Sequence, residues 1–252
     1  MPDEVLIEVC VDSVVSAVAA QRAGAQRIEL CADLLEGGIT PSAGMIELTR
    51  SKISIALHVL IRPRGGDFLY NEDEFEVMCR DIDTAKNLGA DGLVFGILDA
   101  DGNVDTWRSR MLVERAQPLS ITFHRAFDMS SDLFRALEDV CGTGADRILT
   151  SGGHQTALQG LETIMKLVKA ARGRLAIMPG SGITADNARR IVEETGALEI
   201  HAGLRTAVAN PMRLHNPQIA LGTIPEREYR RFRVLEESVR NLRRAVSQEG
   251  GR

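Results

Sequence analysis

The sequence is short of cysteine. Four cysteines stand in 252 residues, and no two of them have CxxC spacing. That excludes a disulfide framework and gives no support to a structural zinc site, which usually brings its ligands in closely spaced pairs. Long apolar runs are also missing. The longest, "ISIALHVLI", is broken by a serine and a histidine and falls far short of the roughly 20 residues that cross a bilayer. No basic excess is present either, with 30 Lys and Arg against 35 Asp and Glu and a net charge of −5. A nucleic-acid partner, which usually needs a basic face, is not expected. The opening stretch, "MPDEVLIEVC", is acidic and lacks the basic-then-apolar order of a secretory signal. These absences lead us to expect a cytoplasmic protein with reduced thiols and no membrane partner.

What is present is a repeated phrase. "RAGAQRIEL", "NLGADGLVF", "GTGADRILT" and "ETGALEIHA" each join a polar segment to Gly-Ala and then to a short apolar run. Such a phrase reads as a helix stopped by glycine, a tight turn and a buried strand. With "LIEVCV", "ISIALHVLI", "LSITFH" and "LAIMP" between them, eight strands are expected, near Leu6, Ile28, Ile55, Leu93, Ile121, Ile148, Ala176 and Glu199. Helical patterns follow strands one, three, five, six and seven, and Asn71 with Glu74 forms a capping box on one of them. The 44% hydrophobic content suffices for a full core. The chain is therefore read as α/β, a single (β/α)8 TIM-type barrel over residues 1–252. A closing helical segment is expected at about 224–248. An open doubly wound sheet is the alternative, but no GxGxxG follows the first strand.

Barrel chemistry collects where strands end, and residues two apart on a strand share a face. "LIEVCVDS" therefore turns Glu8 and Cys10 the same way, and "RIELCADL" does so for Glu29 and Cys31. The apolar alternates must meet the helices, so the carboxylates and thiols face the lumen. Adjacent strands lie about 4.8 Å apart, which would make Cys10 and Cys31 neighbours. His58 and Arg62 share a parity on strand three, "TFHRAFD" brings His124, Arg125 and Asp128, and strand eight offers Glu199 and His201. For any one of these, an internal ion pair is explanation enough, such as a glutamate bonded to Arg62 or Arg125. Together at one end of a barrel they point to a site. The glycine-rich "PGSGITADN", with Gly180, Ser181 and Gly182, and Arg205 of "HAGLRTA" follow strands seven and eight. Barrels often hold anions there. Tight turns alone would also account for the glycines.

"EVCVDS", "RIELCADLLEGGITPS", "VLIRPRGGDFLY", "FHRAFD" and "LTSGG" together resemble the CutC copper-homeostasis family, over about Val5 to Arg205. The resemblance implies a cytoplasmic, oligomeric barrel that binds copper through Cys10 and Cys31. Two thiolates suit a soft, low-coordinate ion such as Cu(I). Nearby glutamates work against this, because like charge raises a thiol pKa. The residues also carry a second reading, an enzyme acting on a small anionic or phosphorylated metabolite. In it Glu8, Glu29, His58 and His124 are the acid–base groups, and Arg62, Arg125, Gly180, Ser181, Gly182 and Arg205 bind the anion.

Overall fold

The computed structural model describes residues 5–216, 218–219 and 229–247. Eight parallel strands form a nearly closed barrel: β1 (Leu6–Val11), β2 (Arg27–Leu30), β3 (Ala56–Leu60), β4 (Gly92–Phe95), β5 (Ser120–Phe123), β6 (Arg147–Thr150), β7 (Ala176–Pro179) and β8 (Glu199–Ala202). Hydrogen bonding runs unbroken from β7 back through β1 to β8, and the seam lies between β7 and β8. All eight begin within one residue of the positions expected from sequence. Helices α1 (Val14–Arg22), α2 (Ala43–Lys52), α3 (Glu72–Asn87), α4 (Thr106–Ala116), α5 (Leu133–Thr143), α6 (Leu161–Ala171) and α7 (Ala188–Thr195) follow the first seven strands. Of these, α2 and α4 are additions to the sequence reading.

The repeated phrase has a physical purpose. Its four glycines, Gly24, Gly89, Gly144 and Gly196, all hold a positive φ, between 73° and 91°, a region open to glycine at little cost. The residue two positions on then fastens the neighbouring strand. Gln26 accepts from the Ile7 amide at 3.0 Å, Asp91 from Leu57 at 2.8 Å and Asp146 from Ile121 at 2.6 Å. Each otherwise orphaned strand-leading amide is thereby satisfied, and the register of each strand pair is set.

That register places Glu8 and Cys10 opposite Arg27 and Glu29 on β2. Ile7, Val9, Val11, Ile28 and Leu30 point outward and are buried under the helices. The Asn71–Glu74 capping box is present at the start of α3.

The tail departs from expectation. The helix expected at about 224–248 is confined to α8 (Glu236–Val246), because Arg231–Val234 is a strand, β10. It pairs antiparallel with β9 (Arg205–Val208). Residues 220–228 and 248 lie outside the described residues. Alternating Arg and apolar residues in "RFRV" suit a strand as well as a helix, and the Val234 amide is claimed by the buried Ser16 hydroxyl at 3.2 Å. Val239 and Leu242 bury the inner face of α8. Among the described residues no helix is long and apolar enough to cross a membrane.

Glycines stand on the inward parity at the start of β4 and just beyond its end, with Val94 between them. A Cβ on Gly92 would lie 2.4 to 2.7 Å from the His58 ring, and one on Gly96 would lie 2.6 to 2.8 Å from the His124 ring. These glycines are the recesses into which two imidazoles fold. Gly92→Ala is therefore expected to destabilise the protein by about 1–3 kcal/mol, the usual cost of overpacking. Gly142→Ala, in α5 with nothing within 4 Å, is expected to stabilise by about 0.5–1 kcal/mol. Urea denaturation of the two variants checks the contrast, and equal effects would show that the recess is not structural.

Candidate functional site

A barrel lumen is ordinarily filled with Val, Ile and Leu. Here a polar column runs through it. At its lower end Glu199 accepts from Arg147 Nε at 3.0 Å and from Arg27. Arg147 also donates to Ser120 Oγ at 2.9 Å and Thr122 Oγ1 at 3.3 Å. Arg27 bridges Glu199 to Glu8 and touches Met178 Sδ at 3.2 Å. Glu8 is fully buried. Burial alone would raise its pKa, but Arg27, then His201 and His58, hold the carboxyl well below the usual range.

The column continues upward through His201, whose Nδ1 donates to Glu8 Oε1 at 2.7 Å. Its Nε2 lies 3.7 Å from Glu29 Oε2. Glu29 Oε2 is 3.5 Å from Cys31 Sγ, and Cys31 Sγ is 3.6 Å from Cys10 Sγ. Ligand atoms of Cys10, Glu29 and Cys31 all fall within 4.8 Å of one another. Leu60 and Val94, with Leu34 at their edge, pack against the sulfurs and form an apolar wall.

The two thiols are not alike. Cys10 is pushed down to about 5, first by the hydrogen bond from Cys31 and then, against burial, by His201. Cys31 is pushed well up, by that same hydrogen bond, by burial and by the charges of Cys10 and Glu29. Burial and the Cys10 thiolate push Glu29 well up too. Burial would lower His201, but Cys10, Glu29 and Glu8 outweigh it and raise it well above the ordinary value. At neutral pH the cluster therefore favours a thiolate on Cys10 and a proton on Cys31, with the Glu29 carboxyl and the His201 imidazole both shifted towards their protonated forms. The expectation that glutamate disfavours thiolates describes Cys31 but not Cys10, where the hydrogen bond from Cys31 and then His201 prevail.

The other residues singled out in the sequence are dispersed. His58 lies lower in the lumen, its Nδ1 3.8 Å from Glu8 Oε2 and without a hydrogen bond. Burial outweighs the Glu8 carboxylate and brings its pKa to about 4. His124 stands on the β5 wall. Arg62 points inward, but its Nη atoms are held by the carbonyls of Glu36, Gly38 and Gly66 at 2.6 to 2.7 Å. Arg125 pairs with Asp128 at 2.8 Å and donates to Ser151 Oγ at 2.7 Å. The Ser181 hydroxyl donates to the Gln155 carbonyl at 2.7 Å. A Cβ on Gly180 would strike Leu149, and one on Gly182 would strike Thr156. These glycines therefore permit close packing at their loop. Arg205 leaves the barrel on β9, 4.0 Å from Asp12. The glutamates' partners are thus Arg27 and Arg147, not Arg62 or Arg125. Both were legible by parity: Arg27 stands two before Glu29, and Arg147 opens a strand.

The sequence profile of the CutC family matches residues 5–206. The chain belongs to the CutC family. A mouse relative, named copper homeostasis protein cutC homolog, is 51% identical over 217 residues, covering 86% of this chain and 80% of its own. A CutC family protein of Chromobacterium violaceum is 44% identical over 241 residues, covering 96% and 98%. Among solved structures, a Streptococcus agalactiae protein described as a CutC copper homeostasis protein superposes with a TM-score of 0.74 at 36% identity, over 79% of this chain and 98% of that one. A thiamine phosphate pyrophosphorylase of Pyrococcus furiosus, at 18% identity and a TM-score of 0.58 over 96% of each chain, shares the fold alone.

The neutral His58 predicts a pH dependence. Its folded pKa, about 4, lies below the unfolded value of about 6.5. The stability it contributes is complete above about pH 6.5 and is lost as the pH falls towards 4. His58→Asn should flatten the dependence of unfolding free energy on pH in that window by up to about 1.4 kcal/mol per unit, the linkage of one proton. Urea melts between pH 7 and 4.5 measure it, and parallel curves for variant and wild type would refute it.

Proposed function

We propose that this chain handles copper in the cytoplasm, carrying Cu(I) on Cys10 and Cys31 at the mouth of the barrel. The observation that carries the reading is the sulfur pair itself: two buried sulfurs 3.6 Å apart, contributed by adjacent strands. Two metal–sulfur bonds of about 2.3 Å can span up to about 4.6 Å, so one ion can reach both sulfurs without moving the strands. Leu60 and Val94 line the sulfurs, and a water-poor, thiolate-rich pocket favours a soft ion. Glu29 supplies a third potential ligand. The names of the mouse and Streptococcus agalactiae relatives support the same assignment. Assembly into a homo-oligomer belongs to this proposal and rests on the family resemblance.

Metal binding requires deprotonated ligands. Cys10 already favours its thiolate, whereas Cys31 holds its proton. Uptake of one Cu(I) at pH 7 should therefore release close to one proton, not two. An anaerobic titration against a competing Cu(I) chelator, run in buffers of different ionisation enthalpy, gives both stoichiometry and proton count. One-to-one binding is expected, weakened at least about a thousandfold in the Cys10→Ser/Cys31→Ser double variant, a loss of about 4 kcal/mol. Affinity indifferent to that change would remove the thiols from the function.

A further inference from the structure

Across the lumen from the thiols, three buried polar atoms have no partner: Arg62 Nε, Tyr70 Oη and His124 Nε2. Their residues are 5%, 2% and 6% exposed. They form one neighbourhood. The Phe68 ring lies 4.9 Å from the His124 ring and 5.1 Å from Arg62 Cζ. The Tyr70 hydroxyl stands beside the Arg62 guanidinium, which acts on it both by its charge and as a hydrogen-bonding neighbour, although no bond of good geometry joins them. A buried donor left unsatisfied costs about 1–3 kcal/mol, and native structures carry few of them. Of the remaining unpartnered side-chain atoms, Thr49 and Ser109 are helix hydroxyls and His58 faces Glu8.

All three can donate. Three carbonyls take both Nη1 donors and one Nη2 donor of Arg62, which leaves Nε–H and one Nη2–H free to donate. His124 Nδ1 accepts from the Ala126 amide at 3.2 Å, so the proton of the neutral ring sits on Nε2. Burial, then Arg62, lowers His124 to about 3, and burial raises Tyr70 to about 12. Both therefore stay neutral at pH 7. We propose that Arg62, His124 and Tyr70 form a second site at the barrel mouth, which binds a small organic carboxylate.

One fixed positive charge with two neutral donors matches a monoanion with two oxygens. A phosphate dianion would bury a charge that nothing compensates. No salt bridge engages the Arg62 guanidinium among the described residues, so its charge is available to the ligand. The Phe68 ring, against both His124 and Arg62, offers an apolar surface to a short hydrocarbon chain. The segment 63–70 has no regular structure and carries both Phe68 and Tyr70, and the Phe68 carbonyl is tied to the Leu98 amide at 2.9 Å. The site is independent of the copper reading, since none of its three donors belongs to the thiol cluster.

The test uses the metal-free full chain and follows its melting temperature against acetate and propionate, with sulfate and phosphate at equal ionic strength. A ligand that binds only the folded state must stabilise it. A saturable rise with the carboxylates is expected in the wild type and in Cys10→Ser/Cys31→Ser. It should need at least about tenfold more ligand in Tyr70→Phe, the effect of one hydrogen bond to a charged group. Without ligand, Tyr70→Phe should melt no lower than the wild type, because it deletes an orphaned hydroxyl, which a purely structural tyrosine would not allow. His124→Asn serves if that variant does not fold, again with binding weakened. No rise with carboxylates, an equal rise with sulfate and phosphate, or a rise unchanged in the variants overturns the proposal.

Discussion

The lumen is organised around Glu8 and Arg27. A carboxylate with no exposure to solvent survives as an ion only if its partner is fixed, and here the partner comes from the next strand in register. Removing either residue alone would strand a buried charge, a change that typically costs about 3–5 kcal/mol. The pair also anchors His201, whose Nδ1 is bonded to Glu8, and Glu8 adds to Cys10 and Glu29 in raising the imidazole. After the hydrogen bond from Cys31, His201 is what favours the Cys10 thiolate. The column below the mouth thus contributes to the chemistry at the mouth.

This column leaves one wall of the lumen unlike the other. On the β1, β2 and β8 side, charges are paired and sulfurs are close. On the β3 to β5 side, two imidazoles fold over glycines and stay neutral. The β4 glycines thus make room for donors that the opposite wall does not have. One barrel lumen in this way presents a sulfur pair walled by Leu60 and Val94 on one side and unpaired hydrogen-bonding groups on the other.

The parts of the molecule legible in the sequence are those governed by local periodicity. Glycine followed by alanine announces every second strand, and Glu-x-Cys on two apolar runs fixes which face holds the sulfurs. Both depend on neighbours within a few residues. Arg27 and Arg147 obeyed the same parity but stood at strand beginnings, where boundaries read from apolar runs start a residue late. Arg62 had the right parity too. Its engagement by carbonyls depends on the loop around Gly38 and Gly66, whose path no local pattern specifies. "RFRV" became a strand because β9 lies alongside it, a contact across more than twenty residues. Orphaned atoms such as Tyr70 Oη are invisible in a sequence, since their meaning lies in what fails to surround them.

The unequal thiols bear on which ion the proposed copper site would prefer. Two thiolates 3.6 Å apart in a poorly solvated pocket would repel strongly, so one proton stays with the pair. Along the column Arg27 is paired with Glu8 and Glu199, Arg147 with Glu199, and His201 with Glu8. A monovalent ion that replaces the Cys31 proton would leave the charge of the pocket unchanged. A divalent ion would add a charge to it, beside a Glu29 carboxyl whose ionisation burial opposes. Zinc would further ask for four ligands, and the nearest nitrogen beyond the sulfurs and Glu29 belongs to an imidazole already bonded to Glu8. In the proposed copper site, discrimination between one and two charges would thus rest on the proton that Cys31 holds, and the sulfur ligands would add their softness to it.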